Sequence, residues 1–295
     1  MRLDAVVRNR YQISWNQARG WIETGKIWLN GVAVMDPATP TEESAEIELK
    51  MNAPKPSSTR AQASPQLAKS DVIYLDSQLI VVNKPAGLSS VPYEKTDVAL
   101  EQLINKHLGS RITVVQRLDR ETSGLLVFAR TKEAGMALGD QFRHHTVIRR
   151  YVALVQGYVT SQTIRSKLLE NRGDGLRGSL KAGSPLSRDL AKPAVTHVRM
   201  LNHNDEMTLI ECRLETGRTH QIRIHLSEAG HPLLGEKAYI REYTGTKVEA
   251  PRLMLHAAEL GFDHPTTKAP MHWTMPPPKD FLALLPAGWQ QLAGG

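Results

Sequence analysis

Residues 52–70 read NAPKPSSTRAQASPQLAKS, a stretch rich in Pro, Ser and Ala with no acidic residue and no sustained apolar period. Such a segment has little to bury and reads as a flexible, mildly basic linker. A chain of 295 residues interrupted there is expected to build two domains, one over residues 1–51 and one over residues 71–295. The second part is long enough for a substantial buried core.

Charge and cysteine content narrow the chemistry. The net charge of +7 favours a polyanionic partner. Cys212 is the one cysteine, which excludes an internal disulfide and a thiolate-rich zinc site and suits a reducing cytoplasm. The opening MRLDAVVRNR lacks the apolar core of a signal peptide, and no stretch approaches bilayer length. The expectation is a cytoplasmic protein without a membrane partner.

The short first part is legible locally. WNQARGWIET, residues 15–24, places Ala18, Trp21 and Ile22 at helical spacing behind Ser14 as N-cap, with Gly25 as the stop. Ile27-Trp28-Leu29 and Val32-Ala33-Val34 flank Asn30-Gly31, a pair that tolerates the positive φ of a tight hairpin turn. Over residues 1–40 there are five Lys/Arg against three Asp/Glu. Two helices followed by a hairpin, in RLD…S…A…WIETGKIWLNGVAV, resemble the ribosomal-protein-S-four-like RNA-binding domain. The resemblance implies RNA contacts from Arg8, Arg10, Arg19 and Lys26, although Trp15 stands where that family commonly has Arg.

The tripeptide Arg-Leu-Asp occurs twice, ending at Asp4 and at Asp119. Asp4 falls near the first turn of the first helix, where a carboxylate favours the helix dipole, and is expected to be structural. Asp119 lies in VVQRLDRETSGLLVFA, which reads as a strand, a turn over Glu121–Gly124, and a second strand. A carboxylate on a loop between buried strands is rigidly held yet reachable, a common placing for catalytic groups.

QRLDRETSGLLVFARTKEA resembles the signature of the RluA-type pseudouridine synthases. Four further blocks follow that family's order: VIYLDSQLIVVNKPAGLSSVP, IRRYVALVQG, LETGRTHQIRIHLSEAGHPLLGEKAY, and RLMLHAAELGFDHPTTKAP with PPPKDF. The resemblance spans about residues 71 to 281. It implies an α+β catalytic domain built on a large mixed, mainly antiparallel sheet with a central cleft and flanking helices. The implied reaction turns uridine in RNA into pseudouridine with no cofactor and no metal. Asp119 would be the nucleophile, at C6 of the base or C1′ of the ribose.

The same resemblance casts Tyr151 as the ring that stacks on the target uracil and Arg223 as the cation beside Asp119. Burial raises a carboxylate's pKa by up to several units and a neighbouring cation lowers it by about 1–3, so an arginine would keep a buried Asp119 ionised. A bidentate pair would also fix its orientation. Arg117 matches the residue that fills the space left by the flipped base. Gln116 stands where the family usually has His. Thr122, Arg149, Thr219, His220 and Gln221 complete the substrate-binding set. In GRTHQIRIHLSEAGHP, Thr219 is the expected N-cap of a helix with Ile222, Leu226 and Ala229 on one face.

Other patterns are weaker. His220 and His225 are five apart, about 140° around a helix, and no HExxH occurs, so no metal site is expected. Thr122-Ser123-Gly124 lacks the flanks of a hydrolase elbow. NRGDGLRGSLKAGSPLSR, residues 171–188, reads equally as a loop on RNA backbone or as plain surface. The expected enzyme is a monomeric pseudouridine synthase acting on large-subunit ribosomal RNA. A tRNA enzyme and an inactive RNA-binding assembly factor are the alternatives.

Overall fold

The computed structural model describes residues 1–53, 67–93, 97–172, 175–181 and 190–294. The chain divides into two compact units, Met1–Ser64 and Pro65–Gly295. The greater part of the linker expected over 52–70, and parts of the Gly-rich segment 171–188, lie outside the described residues.

In the first unit, α1 (Leu3–Tyr11) and α2 (Trp15–Glu23) precede β1 (Ile27–Leu29), β2 (Val32–Ala33) and β3 (Ile47–Leu49). Ser14 caps α2 by accepting from the Gln17 amide. The hairpin register pairs Leu29 with Val32, and Asn30 and Gly31 both adopt positive φ, 50° and 78°. That is the turn which matches strand twist. Leu3, Val6, Val7, Ala18, Ile22, Ile27 and Ile47 form the core.

Asp4 is structural for a stronger reason than the helix dipole. Its side chain is fully buried, with Oδ2 2.6 Å from Arg2 and 3.0 Å from Arg19. This changes the expected RNA face. Arg19 is committed to Asp4, and Arg10 donates to the carbonyls of Glu43 and Ala45. Arg8 is exposed and lies 5.0 Å from the Trp15 ring centre, whereas Lys26 is half-buried.

The second unit contains β4 (Val72–Leu75), β5 (Leu79–Lys84), α3 (Leu100–Leu108), β6 (Thr113–Val114), β7 (Ser123–Ala129) and α4 (Lys132–Arg143). It continues with β8 (Ile148–Gln156), β9 (Gln162–Leu169), β10 (Gly178–Ser179), β11 (Lys192–His203) and β12 (Met207–Leu214). The last elements needed here are α5 (Gln221–Glu228), β13 (Leu255–Asp263), β14 (Pro270–Thr274) and α6 (Lys279–Leu282). Eleven described strands form one sheet in the order β10-β9-β11-β12-β8-β13-β7-β5-β4, with β14 on β13 and β6 on β7. The β13–β7 pair is parallel and the other pairings are antiparallel.

The uninterrupted apolar runs LIVV and LLVFA are explained by burial on both faces. Ile80, Val82, Leu126 and Phe128 face one core cluster. Leu79, Val81, Leu125 and Val127 face another, covered by Ala134 and Leu138 of α4. Gly124 has φ 113°, and a Cβ there would lie 2.2 Å from the Ala257 carbonyl oxygen. No side chain fits at position 124, where β7 meets Ala257 of β13.

Two local expectations are corrected. The strand before Asp119 covers only Thr113–Val114, and Ser123–Gly124 belong to β7 rather than to a turn, because β13 pairs with them. Helix α5 starts at Gln221, with His220 (φ 58°) rather than Thr219 at the cap position. The Gln221 amide oxygen accepts from the Arg218 backbone N–H instead. Ala229 is exposed, while Ile224 is buried against Leu168 and Ala194.

The buried ion cluster of the first unit can be tested. Burial pushes the Asp4 pKa up, but hydrogen bonds and charge from Arg2 and Arg19 outweigh it and hold the carboxyl below its ordinary value. Its contribution is therefore complete above the ordinary aspartate range and disappears as pH falls through the lowered value. Asp4→Asn is expected to destabilise this unit by about 2–3 kcal/mol, less than a fully buried pair because both arginines keep some solvent. Amide exchange of α1 and α2 in the full chain should quicken accordingly. Unchanged exchange would contradict the ion cluster.

Candidate active site

Asp119 sits on the loop between β6 and β7, at the wall of a pocket of about 430 Å³. Its loop is fixed from beneath. The Ser90 hydroxyl donates to the Leu118 carbonyl and accepts from the Leu118 amide. The Gly87 amide donates to the Arg120 carbonyl, and Arg120 Nε returns a bond to the Gly87 carbonyl. Lys84 is fully buried, and its Nζ donates to the carbonyls of Pro85, Leu88 and Arg120 at 2.9, 2.7 and 3.1 Å. Burial pulls the Lys84 pKa down to about 7, against the opposing charges of Asp119 and Glu121. One ammonium group thereby ties the Lys84–Leu88 turn to the Asp119 loop.

Arg223 projects from α5 to within 3.4 Å of Asp119 Oδ2 through Nη1. The expected bidentate pair is formed elsewhere. Nε and Nη2 both donate to Glu236, each at 2.8 Å. Burial alone would lower the Arg223 pKa, but the Glu236 hydrogen bonds and charge, with Asp119 behind them, raise it. The Glu236 side chain is fully buried and also accepts from the amides of Lys237, Ala238 and Tyr239. Two of the three guanidinium nitrogens are spent on Glu236, which leaves one to face Asp119.

Tyr151 faces the pocket from β8, and burial raises its pKa while Arg149 opposes the shift. His220 lies 3.8 Å from Asp119 Oδ2 through Nε2, and its Nδ1 is 2.8 Å from the Tyr239 hydroxyl. Burial lowers the His220 pKa, which favours the neutral imidazole.

Gln116, Arg117, Asp119, Thr122, Arg149, Tyr151, His220, Gln221 and Arg223 line this one pocket, and Thr219 does not. Gln221 is nearly enclosed, with its amide bonded to Val195, Thr196, Thr216 and Arg218. Sequence reasoning missed Lys84, Ser90, Glu236 and Tyr239. A signal existed for Glu236: it is the acid that follows the apolar Leu233-Leu234-Gly235 just beyond α5, and an inward arginine needs a carboxylate. Among the described residues no three His, Cys, Asp or Glu side chains converge as a metal site requires. No described helix is long and apolar enough to cross a membrane.

Comparisons with known proteins fit this geometry. The RNA pseudouridylate synthase family matches residues 78–228, and the S4 domain matches residues 1–47. The ribosomal large subunit pseudouridine synthase D of Xylella fastidiosa is 33% identical over 97% of this chain and 88% of its own. Its namesake from Vibrio parahaemolyticus is 34% identical over 97% and 90%. Among solved structures, human RNA pseudouridylate synthase domain containing 1 superposes with a TM-score of 0.60 at 25% identity, covering 77% of this chain and 96% of that one.

Two substitutions test the scaffold. Glu236→Gln leaves the largely enclosed Arg223 without its main counter-charge, so unfolding should become easier by about 3 kcal/mol. RNA isomerisation should fall with it as Nη1 loses its fixed aim. A wild-type denaturation midpoint would refute that role. Lys84→Met leaves the Pro85 and Leu88 carbonyls without a donor, while the Arg120 carbonyl keeps the Gly87 amide; the cost is about 1–3 kcal/mol for each carbonyl that water cannot reach. The readout is amide exchange across residues 118–122, which should quicken; unaltered protection there would show that the clamp is dispensable.

Proposed function

We propose that this chain, which belongs to the RNA pseudouridylate synthase family, isomerises uridine in large-subunit ribosomal RNA with Asp119 as its nucleophile. That it is an RNA pseudouridine synthase follows from the family match and from relatives aligned over nearly the whole chain. The ribosomal target is supported by the names of those relatives and by the S4 domain at residues 1–47.

The observation that carries the nucleophile is the setting of Asp119. It is a partly exposed carboxylate on a rigid loop, with a single guanidinium nitrogen 3.4 Å away and Tyr151 on the same pocket. A free carboxylate is already almost wholly ionised at pH 7. Arg223 supplies a positive charge beside the carboxylate. The isomerisation breaks the N1–C1′ bond and forms a C5–C1′ bond, with one proton leaving C5 and one gained at N1. Atoms balance within the nucleotide, so the protein needs to supply only attack, orientation and proton transfer.

Extracting a base from stacked RNA costs a few kcal/mol, and an aromatic face returns about 1–3 kcal/mol per base. Tyr151, on the pocket wall, would provide that face, and Arg117, on the same wall, would fill the gap.

The test is to map pseudouridine in total RNA from cells with and without the gene. Deletion should remove one or more pseudouridines from large-subunit ribosomal RNA, wild type should restore them, and Asp119→Asn should not. Losses confined to tRNA would overturn the ribosomal target. Restoration by the Asn variant would overturn the nucleophile.

A further inference from the structure

Arg149 differs from three other enclosed arginines of the catalytic unit. Arg150, Arg223 and Arg252 each meet a carboxylate, Glu259 at 2.5 Å, Glu236 at 2.8 Å and Asp280 at 2.6 Å. Among the described residues Arg149 meets none. Its Nε is buried with no acceptor, and Nη2 makes only two 3.4 Å contacts, to the Leu214 and Glu215 carbonyls. The guanidinium carbon lies 5.6 Å from the Phe142 ring centre, and Nη1 occupies space left by Gly217, where a Cβ would be 2.6 Å away. Burial lowers the Arg149 pKa, as expected for a desolvated cation without an anion.

Arg149 is half-buried, and a partly desolvated cation with a buried, unused donor is unfavourable until an anion arrives. The pocket has a second such group, the buried and unpartnered Thr122 hydroxyl. Uracil is neutral at pH 7, so in an RNA substrate the available anion is the phosphodiester. Arg149 and Tyr151 are two residues apart on β8 and line the same pocket. Their Cα atoms are therefore about 7 Å apart, comparable to the span from a base to the phosphate of its own nucleotide. Planar guanidinium donors suit phosphate oxygens.

We propose that Arg149 docks the phosphodiester adjoining the uridine that enters the pocket, so that the flipped nucleotide is recognised by its backbone as well as its base. The inference rests on the pocket being the uridine site. It adds the chemical group that completes a site otherwise holding an unpaired cation.

The experiment uses the full chain and a synthetic RNA hairpin carrying the uridine identified by the mapping above. A neutral methylphosphonate replaces, in turn, the phosphate 5′ and 3′ of that uridine. With the natural hairpin, Arg149→Gln is expected to lower kcat/KM about 10- to 100-fold, the range for a hydrogen bond to a charged group. One of the two methylphosphonates should lower wild-type kcat/KM by a similar factor. The same replacement should alter the Gln variant by no more than about twofold. Arg149→Lys, which keeps the cation, should recover part of the loss and retain sensitivity to that phosphate. Wild-type turnover indifferent to both methylphosphonates overturns the inference without any variant and leaves the uridine-site reading intact. A penalty that persists in full in the Gln variant overturns it as well. Failure of wild type to modify the natural hairpin would instead strike at the site reading and remove the inference with it.

Discussion

The backbone contact at Gly124 sets the distances on which the pocket depends. In the sheet, Gly124 of β7 pairs with Ala257 of β13, and Ala257 pairs on its other side with Tyr151 of β8. Two strand spacings, about 10 Å in all, therefore separate the backbone of Tyr151 from the strand that follows the Asp119 loop. That is room for one planar ring between a carboxylate and an aromatic. The parallel approach of β7 and β13 is possible because position 124 has no side chain, since a Cβ would collide with the Ala257 carbonyl. Any larger residue would push the two pocket walls apart.

On that frame the charges are distributed unequally, and the inequality has chemical content. Arg223 is neutralised chiefly by Glu236, which is itself saturated by three backbone amides. Asp119 thus has a cation at hand without being locked into a tight ion pair, as the proposed nucleophilic role requires. Lys84 does its work through carbonyls rather than carboxylates. Arg149 has no counter-charge among the described residues, and the proposal that phosphate supplies it gives the pocket a way to distinguish a nucleotide in a chain from a free base.

The two Arg-Leu-Asp tripeptides show how little three residues decide. In the first, Arg2 folds back onto Asp4, Arg19 closes over the same oxygen, and the carboxylate loses all solvent. In the second, Arg117 lines the pocket instead of pairing with Asp119, whose nearest cation is Arg223, more than a hundred residues away in sequence. Identical local chemistry becomes a buried structural charge in one unit and a reachable one in the other.

What the sequence determined alone is what adjacent residues encode. The Asn30-Gly31 hairpin, the Ser14 cap, the apolar strand LLVFA, and the gathering of Asp119, Tyr151 and Arg223 on one pocket all rest on short-range preference or on ordered motifs. The tertiary structure decided partner choice: Glu236 rather than Asp119 as the bidentate partner of Arg223, burial for Asp4 and Lys84, the diversion of Arg10 and Arg19 to internal bonds, and the start of α5 at Gln221. These depend on which distant segments share a desolvated space and which donors remain unused once they meet. Desolvation belongs to the assembled neighbourhood, and no stretch of sequence carries it.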